Sequence, residues 1–182
     1  MILVLWASPN EDGLTAACAH AAAKGVHDAG GQCRLVQLNQ HGVGSCHACG
    51  NGWGTCRDEH RCQVQDDFQA LHTEIREAGA LIIVTPVYWG GMAEIARNLF
   101  DRLRRCENEW RGGTLAGKPM LAVAAAGGSG NGTLSCLVDF ERLAGHLGMK
   151  LLDAIPVKRH TKQYQLNAVE GAAKAMAEAM KS

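Results

Sequence analysis

Five short apolar runs, separated by longer segments of helical period, constrain this chain more than any other feature. The runs are residues 1–6, 33–38, 80–85, 120–125 and 149–155. Between them, Phe68, Leu71 and Ile75 share one helical face, as do Met92, Ile95, Leu99 and Leu103, then Leu134, Leu137 and Val138, then Leu166, Val169, Met176 and Met180. A fifth helix is predicted over residues 14–24. Such alternation builds an α/β domain from crossover units, because parallel strands can be joined only through a long connection. The 182 residues suffice for a single domain, and no repeat, low-complexity tract or linker divides them.

Strands covered by helices on both faces read as continuous apolar runs, and runs one, three and four do. Run two carries Arg34 and Gln37, and run five carries Lys150 and Asp153, so these two are the predicted edges. Right-handed crossovers then allow a doubly wound, five-stranded parallel sheet of order 2-1-3-4-5, the flavodoxin-like arrangement. Ligands of such sheets lie beyond the carboxyl ends of the strands, around the switch point between strands one and three. The loops after runs one, three and four are therefore the predicted site.

The first of these, residues 7–16, delivers the chain into a helix. Hydroxyls at Ser8 and Thr15, with free N–H groups at the helix start, form a cradle for a phosphate, or else Asp12 or Thr15 simply caps the helix. The segment is neither a Walker loop nor G-x-G-x-x-G. The second loop, residues 85–92, sets Tyr88 and Trp89 between Pro86 and Gly90, which suits a planar ligand, with core closure or a subunit interface as the alternative. In the third, Gly127, Gly128 and Ser129 begin a stretch where backbone can approach a ligand closely. Asn131 replaces the last glycine of G-x-S-x-G, which argues against a nucleophile elbow. A phosphate cradle, an aromatic loop and a glycine loop together describe a site for flavin mononucleotide, FMN.

The same segments carry a family resemblance. Ser8-Pro9 through Gly13-Leu14-Thr15 resembles the G-S-P-R-x-x-G-N-T loop of the NAD(P)H-dependent FMN reductase and iron-sulfur flavoprotein family. Thr85-Pro86-Val87-Tyr88-Trp89-Gly90 with Asn98-Leu99-Phe100-Asp101-Arg102 resembles its S-P-V-Y-F-G and K-A-F-I-D-R segments, and Cys62 through Asp66-Asp67-Phe68 its C-V-I-K-D-D-M. The likeness spans residues 1 to about 132. Ala7, Asn10 and Leu14 depart from the family's Gly, Arg and Asn. The resemblance implies an FMN oxidoreductase that takes hydride from NAD(P)H and passes it to a quinone, a flavin or another small electrophile. Ser8, Asn10, Gly13, Leu14, Thr15 and Ala16 would hold the phosphate, Pro86, Val87, Tyr88, Trp89 and Gly90 would flank the ring, and Gly127, Gly128 and Ser129 would meet its pyrimidine edge. The flavin carries the chemistry, so no catalytic side chain is required. The resemblance also implies a homodimer or homotetramer, completed by the helix over residues 92–105.

Eight cysteines are unevenly placed. Cys46, Cys49, Cys56 and Cys62 form a C-x2-C-x6-C-x5-C pattern in a glycine-rich insertion at about residues 39–65, while Cys18, Cys33, Cys106 and Cys136 are scattered and read as small core residues. Four thiolates on a flexible loop suit a [4Fe–4S] cluster. Reduced thiols, a reversible disulfide and zinc are alternatives, with His47 or His60 able to replace a thiolate. Iron-sulfur flavoproteins carry a compact C-x2-C-x2-C motif with a later fourth Cys, and here Gly52 stands at the third position. Asp66 and Asp67 open the following helix and are read as its cap and first turn.

Composition limits the partners. Eighteen basic and 18 acidic side chains leave no net charge, which removes the cationic field needed for non-specific nucleic-acid or membrane binding and the acidic surface of small electron shuttles. Residues 1–6 lack a basic n-region and no run is long enough to span a membrane, so a cytoplasmic location is expected. Two further readings remain: an iron-sulfur electron carrier, and a non-catalytic flavin or thiol redox sensor.

Overall fold

The computed structural model describes residues 1–108 and 112–181. In chain order the elements are β1 (Ile2–Trp6), α1 (Leu14–Asp28), β2 (Cys33–Gln37), a 3-10 turn (Leu38–Gln40), α2 (Phe68–Glu77), β3 (Ala80–Tyr88), β4 (Gly91–Met92), α3 (Glu94–Cys106), β5 (Pro119–Ala126), α4 (Thr133–Leu147), β6 (Lys150–Lys158), a second 3-10 turn (Arg159–Thr161) and α5 (Lys162–Ala179). The parallel strands lie in the order β2-β1-β3-β5-β6. This is the predicted order once β4, a two-residue strand antiparallel to the end of β3, is set aside.

Alternation along the strands feeds two cores. Ile2, Val4, Ile82, Val84, Leu121 and Val123 face α1 and α5, whereas Leu3, Leu5, Leu81 and Ile83 face Phe68 of α2, Leu99 of α3 and Phe140 of α4. The α1–α5 contact is close. A Cβ on Gly25 would lie 2.1 Å from the Glu170 carbonyl oxygen, so glycine in mid-helix is what lets the two backbones meet.

Three expectations need correction. The segment after run three is not a loop from residue 85: β3 continues through Tyr88, because Thr85 and Pro86 still pair with Ala124 and Ala125 of β5, and Val87 and Tyr88 then pair with β4. Pro86 ends nothing, since proline is tolerated near a strand's end. Met92 belongs to β4 and not to the helix that follows. On α4, the buried stripe is Cys136, Leu137, Phe140, Leu143, Ala144 and Leu147, and the predicted face members Leu134 and Val138 point to solvent.

Candidate functional site

A groove of about 510 Å³, open to solvent, runs across the carboxyl ends of β1, β3 and β5. Ser8, Asn10, Asp12, Gly13, Leu14 and Thr15 line it from the first loop, Pro86, Val87 and Tyr88 from β3, Ala125, Gly127 and Gly128 from the end of β5, and Arg159 and Lys162 from beyond β6. The three predicted loops thus meet at one place.

The start of α1 is an open set of donors. Gly13 is its N-cap and makes no side-chain cap, no acidic residue sits in the first turn, and the Ala17 N–H is the first to close a helical turn, onto the Gly13 carbonyl at 3.0 Å. The N–H groups before it are the unpaired donors of any helix start, at the positive end of the helix dipole. Neither Asp12 nor Thr15 serves as a cap. The Thr15 side chain is 4% exposed, lines the groove, and has no hydrogen-bond partner among the described residues. Ser8 Oγ accepts the Asn10 N–H at 3.2 Å, and the Ser8 carbonyl accepts from Gln37 Nε2 at 2.9 Å, which ties this loop to the end of β2.

The glycine loop is open as well. A Cβ on Gly127 or Gly128 would meet no protein atom within 4 Å, and neither residue has positive φ, so nothing in the chain itself demands glycine there. Gly132 is different: its φ is +78°, and a Cβ would lie 2.7 Å from the Cα of Gly90. That approach, with a 2.7 Å hydrogen bond from Ser135 Oγ to the Gly90 carbonyl, fastens the β3–β4 turn to α4. At the tip of the turn Trp89 takes φ +54° and is fully exposed. A bulky residue in the left-handed region is strained, and strain of this kind gathers at functional sites. Thr85 Oγ1 accepts the Ala93 N–H at 3.0 Å and so caps α3 from within the sheet.

A second, tighter cavity, about 20 Å³, lies beneath the cysteine-rich segment. Cys46, Cys49, Cys56 and Cys62 all line it, joined by Cys106, Arg102 and Arg105 of α3. Arg102 is 1% exposed and pairs with Asp66 at 2.5 Å, yet its Nε has no hydrogen-bond partner. Burial raises the Asp66 carboxyl's pKa, but the Arg102 guanidinium and the N–H groups of Gly44 and Phe68 outweigh it and hold the carboxyl below its usual range. Burial pushes the Cys106 thiol up to about 12. All eight cysteines are free, and among the described residues no three His, Cys, Asp or Glu side chains converge as the ligands of one metal ion.

With this geometry established, comparison with known proteins is decisive. The family profile described as NADPH-dependent FMN reductase matches residues 1–162. The chain belongs to that family. An iron-sulfur flavoprotein of Methanosarcina thermophila is 30% identical over 132 residues, 69% of this chain and 64% of that protein. An NAD(P)H-dependent FMN reductase of Schizosaccharomyces pombe is 34% identical over 93 residues, 51% of this chain and 41% of its own. The chain thus matches less than two thirds of the length of these relatives. A flavodoxin from the domain Archaea shares the fold, with a TM-score of 0.67 and 15% identity over the whole of both chains.

As an FMN reductase family member the chain extends the likeness past residue 132, through β6 and into the start of α5. Of the residues predicted for the site, Ala16 is buried beneath the groove, while Trp89, Gly90 and Ser129 stand outside its lining. Arg159 and Lys162, outside the predicted site, also line the groove, brought there by the pairing of β6 with β5. Cys106 was read as core, and it is also a wall of the thiol chamber. Asp67 does not cap α2 with its side chain. Asp66 does meet the helix start, its Oδ1 accepting the Phe68 N–H at 3.0 Å, and Asp66 and Asp67 also accept the N–H groups of Gly44 and Gly42, at 3.0 and 2.8 Å, which anchors the entry to the cysteine segment. Cys33 is partly exposed, with its sulfur 3.5 Å from His27 Nε2.

Proposed function

We propose that this chain binds FMN in the groove and transfers hydride from NAD(P)H to a quinone, another flavin or a small electrophile. The observation that carries the reading is the groove itself, where an unblocked helix start, a strand-end tyrosine and a glycine loop with no packing reason for glycine come together. FMN fits these residues: the unpartnered Thr15 hydroxyl and the N–H groups of Leu14, Thr15 and Ala16 suit its phosphate, and Gly127 and Gly128 leave room for its ring system. When bound, FMN supplies the hydride chemistry, accepting two electrons from the donor and delivering them to the acceptor. The chain's own residues bind and orient. Tyr88 and Val87 border the ring side of the groove, and the backbone of Gly127 and Gly128 can offer hydrogen bonds where negative charge develops. With the flavin supplying the chemistry, no side-chain base is needed.

A homo-oligomer belongs to this reading, supported by exposed Trp89 at the tip of the β3–β4 turn and exposed Leu134 and Val138 on α4. No helix among the described residues is long and apolar enough to cross a membrane. Eight free cysteines suit a reducing compartment, the cytoplasm. The test is reconstitution of the purified chain with FMN, removal of unbound flavin, and assay of NADPH and NADH oxidation with a quinone. Failure to retain FMN defeats the proposal.

The thiol chamber favours a second reading, in which an iron-sulfur cluster exchanges electrons with the flavin. Five thiols lining one chamber, with an orphaned Arg102 Nε in the wall, suit an anionic cluster. Cys46, Cys49, Cys56 and Cys62 would hold it. Iron and labile sulfide in anaerobically purified protein are the expected result, and their absence leaves the reductase without this carrier role.

A further inference from the structure

We infer that Arg159 and Lys162 form the cationic half of a phosphomonoester subsite and neutralise the phosphate of the flavin. The inference rests on the FMN reading and deepens it. Residues 7–16 contain no lysine or arginine but do contain Glu11 and Asp12, and Asp12 lines the groove. A phosphomonoester carries close to two negative charges at neutral pH. At the start of α1 it gains N–H donors, the Thr15 hydroxyl and the partial charge of the helix dipole, but it also meets the Asp12 carboxylate. The helix start alone leaves most of that charge unbalanced.

The balancing charge comes from the far end of the chain. The β5–β6 ladder runs to the pair Ala126 with Lys158, which sets the following turn beside Gly127. That turn is closed on itself, since the Lys158 N–H donates to Thr161 Oγ1 at 3.1 Å and that hydroxyl donates to the Lys158 carbonyl at 3.2 Å. Arg159 is its first residue and Lys162 is the first of α5. Because α5 packs against α1 at Gly25, the two helices begin side by side, and Leu14 and Lys162, their first residues, line the same groove. Both cations are exposed, and neither pairs with a carboxylate among the described residues. The groove therefore offers donors from one helix and free positive charge from the next.

FMN and riboflavin share the ring and differ in the phosphate, so they separate this subsite from the rest of the groove. Each is titrated by fluorescence into the apo chain and into R159Q, K162Q and the double variant, with circular dichroism confirming the fold. The wild-type chain is expected to prefer FMN over riboflavin. The double variant should lose FMN affinity by about tenfold or more while riboflavin affinity shifts less than about twofold, and its FMN affinity should fall less steeply with salt. An unchanged ratio of FMN to riboflavin affinity in the double variant overturns the inference and leaves the FMN reading intact. An unchanged ratio accompanied by lost discrimination between NADPH and NADH also overturns it, assigning the cations to the donor's phosphate. Wild-type protein that binds neither flavin removes the FMN reading itself.

Discussion

At the residue scale, the unpartnered Thr15 hydroxyl is the sharpest single feature of the groove. Thr15→Val keeps shape and burial and removes only the polar atom, so FMN affinity should fall by about fivefold to tenfold, with an unchanged thermal midpoint. The same affinity in T15V would place the phosphate elsewhere. Thr15 was legible from its position after a turn-rich loop. Arg159 and Lys162 were not, because a basic cluster in sequence looks the same whether it faces open water or a groove, and only the β5–β6 register brings these two to the site. Asp66 was legible only in part: its carboxylate does accept the Phe68 N–H at the start of α2, at 3.0 Å. Two acids before a helix resemble a cap, whereas the partner that matters, Arg102, lies 36 residues away. With its folded pKa depressed, Asp66 adds stability that is fully present above the ordinary aspartate value near 4, and lost as pH falls through the lower folded value. Asp66→Asn should cost about 3 kcal/mol near neutral pH by leaving the Arg102 charge buried and unpaired, and urea midpoints should show the acid loss reduced in that variant.

Strands and helices were the most legible level, because burial on both faces writes itself as continuous apolar runs and one-sided burial as a helical stripe. What remained hidden was short-range pairing. The hairpin of β3 and β4 rests on two residue pairs, too few to leave a pattern, and it turns an expected loop into a strained tip at Trp89. The apolar Leu134 and Val138 misled because an exposed apolar residue carries the same signal as a buried one. The α1–α5 crossing depends on Gly25, where Gly25→Ala would drive a methyl group into the α5 backbone. We expect a loss of about 1–3 kcal/mol in urea unfolding, against the gain that Gly→Ala gives in an open helix. A gain would mean that the two helices can separate at little cost. In the β5–α4 loop, Gly127→Val should leave the fold unchanged, since its Cβ meets no protein atom, yet lower FMN affinity at least about tenfold.

Across the whole molecule, the fold gathers loops from three strands and one turn beyond the sheet onto a single groove, and sets the thiol chamber apart beneath α3. This separation lets the sequence be read in two halves: the flavin-type loops follow from sheet topology, whereas the cysteine segment, irregular throughout and held by Asp66, Asp67, Arg102 and Arg105, has no periodicity from which its shape could be derived. The exposed Trp89 tip belongs to this scale too. Trp89→Ser should shift the chain from oligomer toward monomer in light scattering if a second copy covers it, and an unchanged mass would free that surface for another role. The account stands most directly on whether the groove holds FMN in a working state. Anaerobic titration of the reconstituted chain with NADPH, followed by visible absorbance, should bleach one bound flavin per chain at one equivalent of donor, and a quinone should restore the colour. A chain that passes through gel filtration without flavin, or holds flavin that NADPH and NADH do not reduce, would contradict it.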